Sequence, residues 1–158
     1  MENCVNFNQS ELASAISRVD RKIVLDSICR ESVEHILNSV EMKDLFKLFL
    51  NCSHNSQNHY LDFYERAKNL DVSLNAEELK RLYSQFLDHS LPKTKKINVA
   101  TLNREKRFKI RSYMRSPEPS KVEEVRIILQ DVIQRVFDVL DEVYRRQFIP
   151  EVRRHINI

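Results

Sequence analysis

The stretch SKVEEVRIILQDVIQRVFDVLDEVYRRQFIP, residues 120–150, decides the fold. Its apolar residues Val122, Val125, Leu129, Val132, Val136, Leu140 and Val143 recur three and four apart, the spacing that gathers side chains along one face of an α-helix. Ser120 followed three residues later by Glu123 has the form of a capping box, in which each side chain satisfies a free backbone N–H near the other, and it predicts the helix start. Just upstream, Ser116-Pro117-Glu118-Pro119 interrupts any earlier helix, because prolines so close together cannot continue one. Pro150 is expected to close the long helix. Seven apolar positions in one helix fit burial along a bundle better than a coiled-coil seam.

The same period appears on either side. Val33, Ile36, Leu37 and Val40 predict a short helix from Ser32, and Leu45, Phe46, Leu48 and Phe49 a second, largely interior one. The polar run from Asn51 to Asn58 predicts a loop, after which Tyr60, Phe63, Tyr64 and Ala67 resume the pattern with Ser56 or Asn58 as N-cap. Asn75 and Glu78 form another capping box, opening a helix with Leu79, Leu82, Tyr83 and Phe86 on one face and an end before Pro92. A loop over Leu91 to Val99 leads to a basic helix from about Thr101 to Met114, with Ile110, Tyr113 and Met114 on one side. Near the start of the chain, Leu12, Ile16, Val19 and Ile23 recur at helical spacing, as packing residues. The expected architecture is all-α, in one domain spanning residues 1–158.

Composition removes whole classes of function. Average usage would put roughly eleven glycines in a chain of this length, and there are none. The Walker loop, the dinucleotide fingerprint, the calcium loop and the nucleophile elbow all need glycine where backbone turns with positive φ or presses on a ligand. Helix ends must then use asparagine or water to satisfy their last carbonyls, and Asn38, Asn51 and Asn69 lie where helices are expected to stop. Cys4, Cys29 and Cys52 follow no metal spacing, and the opening Met1-Glu2-Asn3-Cys4 carries no leader pattern, so reduced thiols in the cytoplasm are expected. No apolar run approaches the ~20 residues that cross a bilayer.

Charge is uneven. From Lys93 to Arg115 nine basic side chains face Glu105 alone, although the whole chain carries only +3. Such a bias suits an acidic partner or an anionic membrane, the contact expected for Lys93–Arg115; nucleic acid is set aside, and a solvated basic helix would give the same pattern. Catalytic sets are scarce. His54, His59 and Cys52 lack a fourth metal ligand and sit among asparagines and serines, so no metal is expected. Asp62 with Glu65, and Asp138 with Asp141 and Glu142, read as polar helix faces rather than acid–base pairs. Cys29, beside Ile28, reads as a buried small side chain. Ser116-Pro117 reads as an exposed turn, open to phosphorylation. No cofactor is implied, and a binding surface is the expected function rather than an enzyme's active site.

Five segments in order resemble the RGS (regulator of G-protein signalling) homology domain. They are Ser32-Val33-Glu34-His35-Ile36-Leu37-Asn38-Ser39 leading into Leu45-Phe46-Lys47-Leu48-Phe49-Leu50; Leu61-Asp62-Phe63-Tyr64, similar to the family's N-L-x-F-W helix; Leu82-Tyr83-Ser84-Gln85-Phe86-Leu87, similar to I-Y-x-x-F-I/L; Ile97-Asn98-Val99 with Asn103-Arg104-Glu105, similar to V-N-L/I-D and T-R-E; and Val136 to Leu140 with Tyr144 and Phe148, similar to the terminal helix ending D-S-Y-x-R-F. The resemblance runs from about Asp26 to Pro150.

What the resemblance implies is a nine-helix RGS-like domain with a four-helix bundle subdomain that binds the switch regions of a GTP-bound Gα subunit. Such a domain supplies no arginine finger; it speeds GTP hydrolysis by holding the GTPase's own arginine and glutamine in their transition-state arrangement. The alternative is an RGS-like binding module or scaffold without that activity. The implied Gα-binding positions are Asn58, Tyr60, Asn98, Val139, Val143, Tyr144 and Gln147, in a protein expected in the cytoplasm and peripherally at the plasma membrane. Asn98 matches the asparagine that reaches toward the catalytic glutamine. The asparagine opening N-L-x-F-W aligns with Tyr60, or with Asn58 after a two-residue shift. On the terminal helix the aspartate that anchors a switch threonine aligns with Val143, its neighbouring serine with Tyr144 and its supporting arginine with Gln147. The aspartate after V-N-L becomes Ala100, and the tryptophan upstream of the first run aligns near Cys29. Each charge-assisted contact so replaced removes roughly 1.5–3 kcal/mol.

Overall fold

Short polar side chains set the helix ends of this glycine-free chain. The computed structural model describes residues 11–30, 32–52, 57–70 and 75–156, and no strand occurs among them. In chain order the helices are α1 (residues 11–18), α2 (Arg21–Cys29), α3 (Val33–Ile36), α4 (Val40–Cys52), α5 (Asn58–Ala67), α6 (Ala76–Leu82), α7 (Arg104–Arg115), α8 (Pro119–Val143) and α9 (Ile149–Ile156). The carboxylate of Asp20 accepts from the Lys22 N–H at 2.8 Å, Asn75 from Glu78 at 3.0 Å and Asn103 from Lys106 at 2.9 Å. Each such cap is worth about 1 kcal/mol. At C-terminal ends the Asn69 amide donates to the Glu65 carbonyl at 3.2 Å and Asn38 to Glu34 at 3.5 Å, doing for carbonyls what a glycine turn does elsewhere.

Two segments widen beyond the α-helix. Tyr83–Leu87 after α6 and Tyr144–Phe148 after α8 are π-turns, closed by the Asp88 N–H on the Tyr83 carbonyl and the Ile149 N–H on the Tyr144 carbonyl. The second corrects the expectation for Pro150. The helical path continues through α9, with Pro150 its second residue, because the π-turn just before it has already broken the i-to-i−4 ladder that a proline would interrupt.

Other boundaries also move. α8 starts at Pro119, whose fixed φ and missing N–H suit a first helical position, so Ser120 lies inside the first turn and is not its cap. α7 starts at Arg104 rather than Thr101, whose hydroxyl instead donates to Asp131 at 2.6 Å. α4 runs on to Cys52, into the stretch expected as loop; residues 53–56, and with them Ser56 and His54, lie outside the described residues, as does Cys4. Val40 opens α4 and is exposed instead of continuing the stripe of α3. The N-terminal stripe breaks at Asp20: Leu12 and Ile16 are buried, but the new helix α2 buries Val24, Ser27 and Ile28. Cys29 is exposed, correcting its expected burial, because it falls about 100° from Ile28 and off that face.

The chain forms two compact units. The first comprises Met1–Asn58 and Val139–Ile158, the second His59–Asp138. In the first, Phe46 meets Tyr144 and Phe148 edge-on at 5.9 and 5.2 Å, Tyr144 stacks on Phe148 at 5.7 Å, and Met42, Leu50 and Val152 are fully buried. Asp141 caps α3 from a distant part of the sequence, accepting from the Val33 N–H at 3.1 Å while pairing with Arg145 at 2.9 Å.

The second unit is a bundle of α5, α6, α7 and α8 up to Asp138. Phe63 meets Phe86 at 5.6 Å, joining α5 to the π-turn after α6, and Tyr64 meets Phe137 at 5.6 Å, joining α5 to α8. Lys109 bridges α7 to Glu124 of α8 at 2.6 Å. Leu61, Leu79, Ile97, Ile110, Val132 and Val136 are among the other residues of its core.

Candidate functional site

The loop of the second unit between the π-turn and α7 is fastened by three successive residues. The Lys96 carbonyl lies 3.2 Å from His59 Nε2, the Ile97 N–H donates to the Phe86 carbonyl at 2.8 Å, and the Asn98 N–H donates to the Tyr60 hydroxyl at 3.1 Å. That hydroxyl in turn donates to the Asn98 carbonyl at 3.4 Å. A phenol both accepts and donates, so one side chain clamps both polar groups of one residue. Ile97 and Val99 point into the core and leave Asn98 between them in solvent, the alternation of an extended chain.

The elements around the clamp follow from sequence. On α5 His59, Leu61, Phe63 and Ala67 are buried, and Tyr60 is half-buried with its hydroxyl reaching the loop. His59 packs edge-on against the Tyr60 ring at 4.7 Å. Asn58, the first residue of α5, is half-buried. Asp88 starts the loop by accepting from the backbone N–H and hydroxyl of Ser90, both at 3.0 Å, and these bonds hold its carboxyl below the usual carboxylate range. Ala100 is exposed.

At the π-turn, burial pushes the Tyr83 hydroxyl up, against the opposing pull of Arg111. Tyr83 Oη and Arg111 Nε are buried without a hydrogen-bond partner among the described residues.

The four remaining positions lie in the first unit. Val139 is half-buried, Val143 buried, Tyr144 wholly buried and Gln147 exposed. The Tyr144 hydroxyl donates to the Ser27 carbonyl at 2.8 Å, and its removal from water, with Asp141 nearby, pushes it up to about 12. Val143 and Tyr144 therefore offer no side-chain surface.

The π-turn changes what else this helix offers. In D-S-Y-x-R-F the tyrosine and phenylalanine are three apart, whereas Tyr144 and Phe148 are four apart, and a π-turn absorbs one extra residue within a helix. With Tyr144 taken as the motif's tyrosine, its aspartate position falls on Glu142 and its arginine position on Arg146. Glu142 and Arg146 pair at 3.6 Å on consecutive turns, both exposed. Matching residues at constant helical phase overlooks this pair; the tyrosine-to-phenylalanine spacing was the signal for it.

The carboxylates considered for catalysis have other partners. Asp138 accepts from Gln134 at 2.9 Å, and Asp141 is taken by Val33 and Arg145. Among the described residues no group of three or more His, Cys, Asp or Glu is placed to hold a metal ion, and no helix is long and apolar enough to cross a membrane.

Comparison with protein-family models matches residues 32–151 to the family described as the Regulator of G protein signaling domain. The match spans most of the chain and every segment from α3 to the start of α9. The chain belongs to the RGS domain family and is, by that membership, a regulator of G-protein signalling. No match is found among curated proteins, and none among solved structures.

Proposed function

We propose that the protein binds the switch regions of a GTP-bound Gα subunit and accelerates GTP hydrolysis by stabilising the transition-state arrangement of the GTPase's own residues. The observation that carries this reading is Asn98, exposed on a loop whose backbone Tyr60 clamps from both sides. A group that steadies a partner's catalytic glutamine must already be in place, since ordering it on contact would consume part of the stabilisation it gives. Tyr60 on this reading positions Asn98, and Asn58 is a further polar contact for Gα. Glu142, Arg146 and Gln147 supply polar contacts from the first unit, Val139 a half-buried apolar one, and Val143 and Tyr144 hold the helix from within. The two units act as one RGS-like domain over residues 1–158, in the cytoplasm, and the protein performs no reaction of its own.

The burial of Val143 and Tyr144 favours a second reading, an RGS-like binding module without accelerating activity. Single-turnover GTP hydrolysis by a panel of Gα subunits separates the two. The first reading expects a faster rate with at least one subunit and binding to its aluminium-fluoride state. Asn98→Ala should then lower the acceleration about tenfold or more with little change in melting temperature, and Tyr60→Phe should give a smaller loss. Unchanged hydrolysis for every subunit, with no binding to the aluminium-fluoride state, would leave only the scaffold.

A further inference from the structure

The solvent face of α7 carries an aromatic ring within a row of arginines. Arg104, Phe108, Arg111 and Arg115 are spaced four, three and four apart, which aligns them along one side of the helix. Phe108 is 57 % exposed, Arg104 and Arg115 are exposed and Arg111 is half-buried. The opposite face buries Ile110 and Tyr113, so α7 has two unlike faces, and Phe108 lies on the one where burial within the chain does not account for it.

Ion pairing explains only part of the basic excess. Lys109 takes both nearby acids, Glu105 at 3.6 Å and Glu124 at 2.6 Å, and Glu124 holds its ammonium above the ordinary lysine range. Arg107 is spent on the Leu87 and Leu102 carbonyls at 3.2 and 2.7 Å. Arg104, Arg111 and Arg115 form no ion pair among the described residues. A solvated basic face accounts for Arg104 and Arg115, but not for an exposed phenylalanine between them. On α8, Ile127 is likewise 58 % exposed. The bridges Lys109–Glu124 and Lys121–Ser112 set α7 and α8 antiparallel, at a register that brings Ile127 within about one turn of Phe108 along the pair.

We propose that this face of α7 docks on an anionic phospholipid bilayer, with Phe108 entering the boundary between headgroups and acyl chains. Lipid phosphates and carboxylates meet the arginines, whose apolar stems allow the guanidinium groups to stay at headgroup level while the ring lies deeper. The contact narrows the basic segment Lys93–Arg115 to one helical face. It is independent of the Gα reading, because it needs no G protein.

The test is co-sedimentation of the full chain, without any G protein, with vesicles of phosphatidylcholine alone or with about 30 % phosphatidylserine. Binding is expected to the mixed vesicles only, falling steeply with salt. Arg104→Glu with Arg115→Glu should lower it by about tenfold or more. Phe108→Ser, which leaves the charge unchanged, should lower it several-fold, and circular dichroism should report unaltered folding for both variants. Failure of the wild-type chain to bind the mixed vesicles, equal binding to both vesicle types, or full binding by Phe108→Ser would overturn the proposal. So would binding lost on changing Lys93, Lys95 and Lys96 to Glu but kept in the α7 variants. Tighter capture by single-stranded nucleic acid, with the vesicles ignored, would do the same.

Discussion

Each unit contains one π-turn that begins with a buried tyrosine, and the two tyrosines are provided for differently. Tyr144 is wholly enclosed, its hydroxyl donates to the Ser27 carbonyl, and its ring packs against both Phe46 and Phe148. Tyr83 is nearly as deep, yet its hydroxyl has no partner among the described residues. A buried hydroxyl without a partner loses its water and receives nothing in return, whereas a bonded one contributes a net ~1 kcal/mol. The same backbone device thus carries a bonded tyrosine hydroxyl in one unit and an unbonded one in the other.

Truncating the phenylalanines of the two turns tests this contrast most strongly. Phe148→Ala removes a fully buried ring that touches Phe46, Phe49 and Tyr144, and should destabilise the chain by about 3–5 kcal/mol in urea unfolding. Phe86→Ala, at a ring 8 % exposed that meets Phe63, should fall at or below the lower end of that range. Equal losses would mean that the two turns are equally important to stability.

Alkaline pH comes next. The Tyr144 phenol stands at about 12 in the folded chain against an ordinary value of 10.0, so the neutral form is the one that the fold favours. Its contribution is complete below pH 10 and is lost as the pH rises from there to about 12, a change on the order of 2 kcal/mol. Tyr144→Phe should cost about 1 kcal/mol at neutral pH and remove most of that alkaline loss, leaving the share owed to Tyr83, whose phenol is also raised by burial. Thermal melts from pH 8 to 12 would check this. The smallest effect belongs to Tyr83→Phe, which should change stability by no more than ~0.5 kcal/mol, or raise it, because no bond is broken.

Periodicity and polar caps carried most of the fold. The stripe from Val122 to Val143 and the Asn75 cap are where the sequence puts them, because helical spacing and short acceptor side chains act within a few residues. An i-to-i+5 bond has no residue preference, so periodicity misses both π-turns and with them the continuation past Pro150 and the Glu142–Arg146 pair; only the four-residue step from Tyr144 to Phe148 marks the second turn in the sequence. Cys29 has an apolar neighbour in sequence, yet α2, which starts after the Asp20 cap, buries the face of Val24, Ser27 and Ile28 and leaves Cys29 outside it. Asn98 could be singled out from its motif, but the hold that Tyr60 exerts depends on a contact across 38 positions.

The fastened loop should also be slow to trade its protons for deuterons. The Ile97 and Asn98 amides are hydrogen-bonded although no helix contains them, so their exchange should lag behind that of unbonded coil. A protein arriving at this corner would meet an edge already set, and would lose little entropy in stilling it.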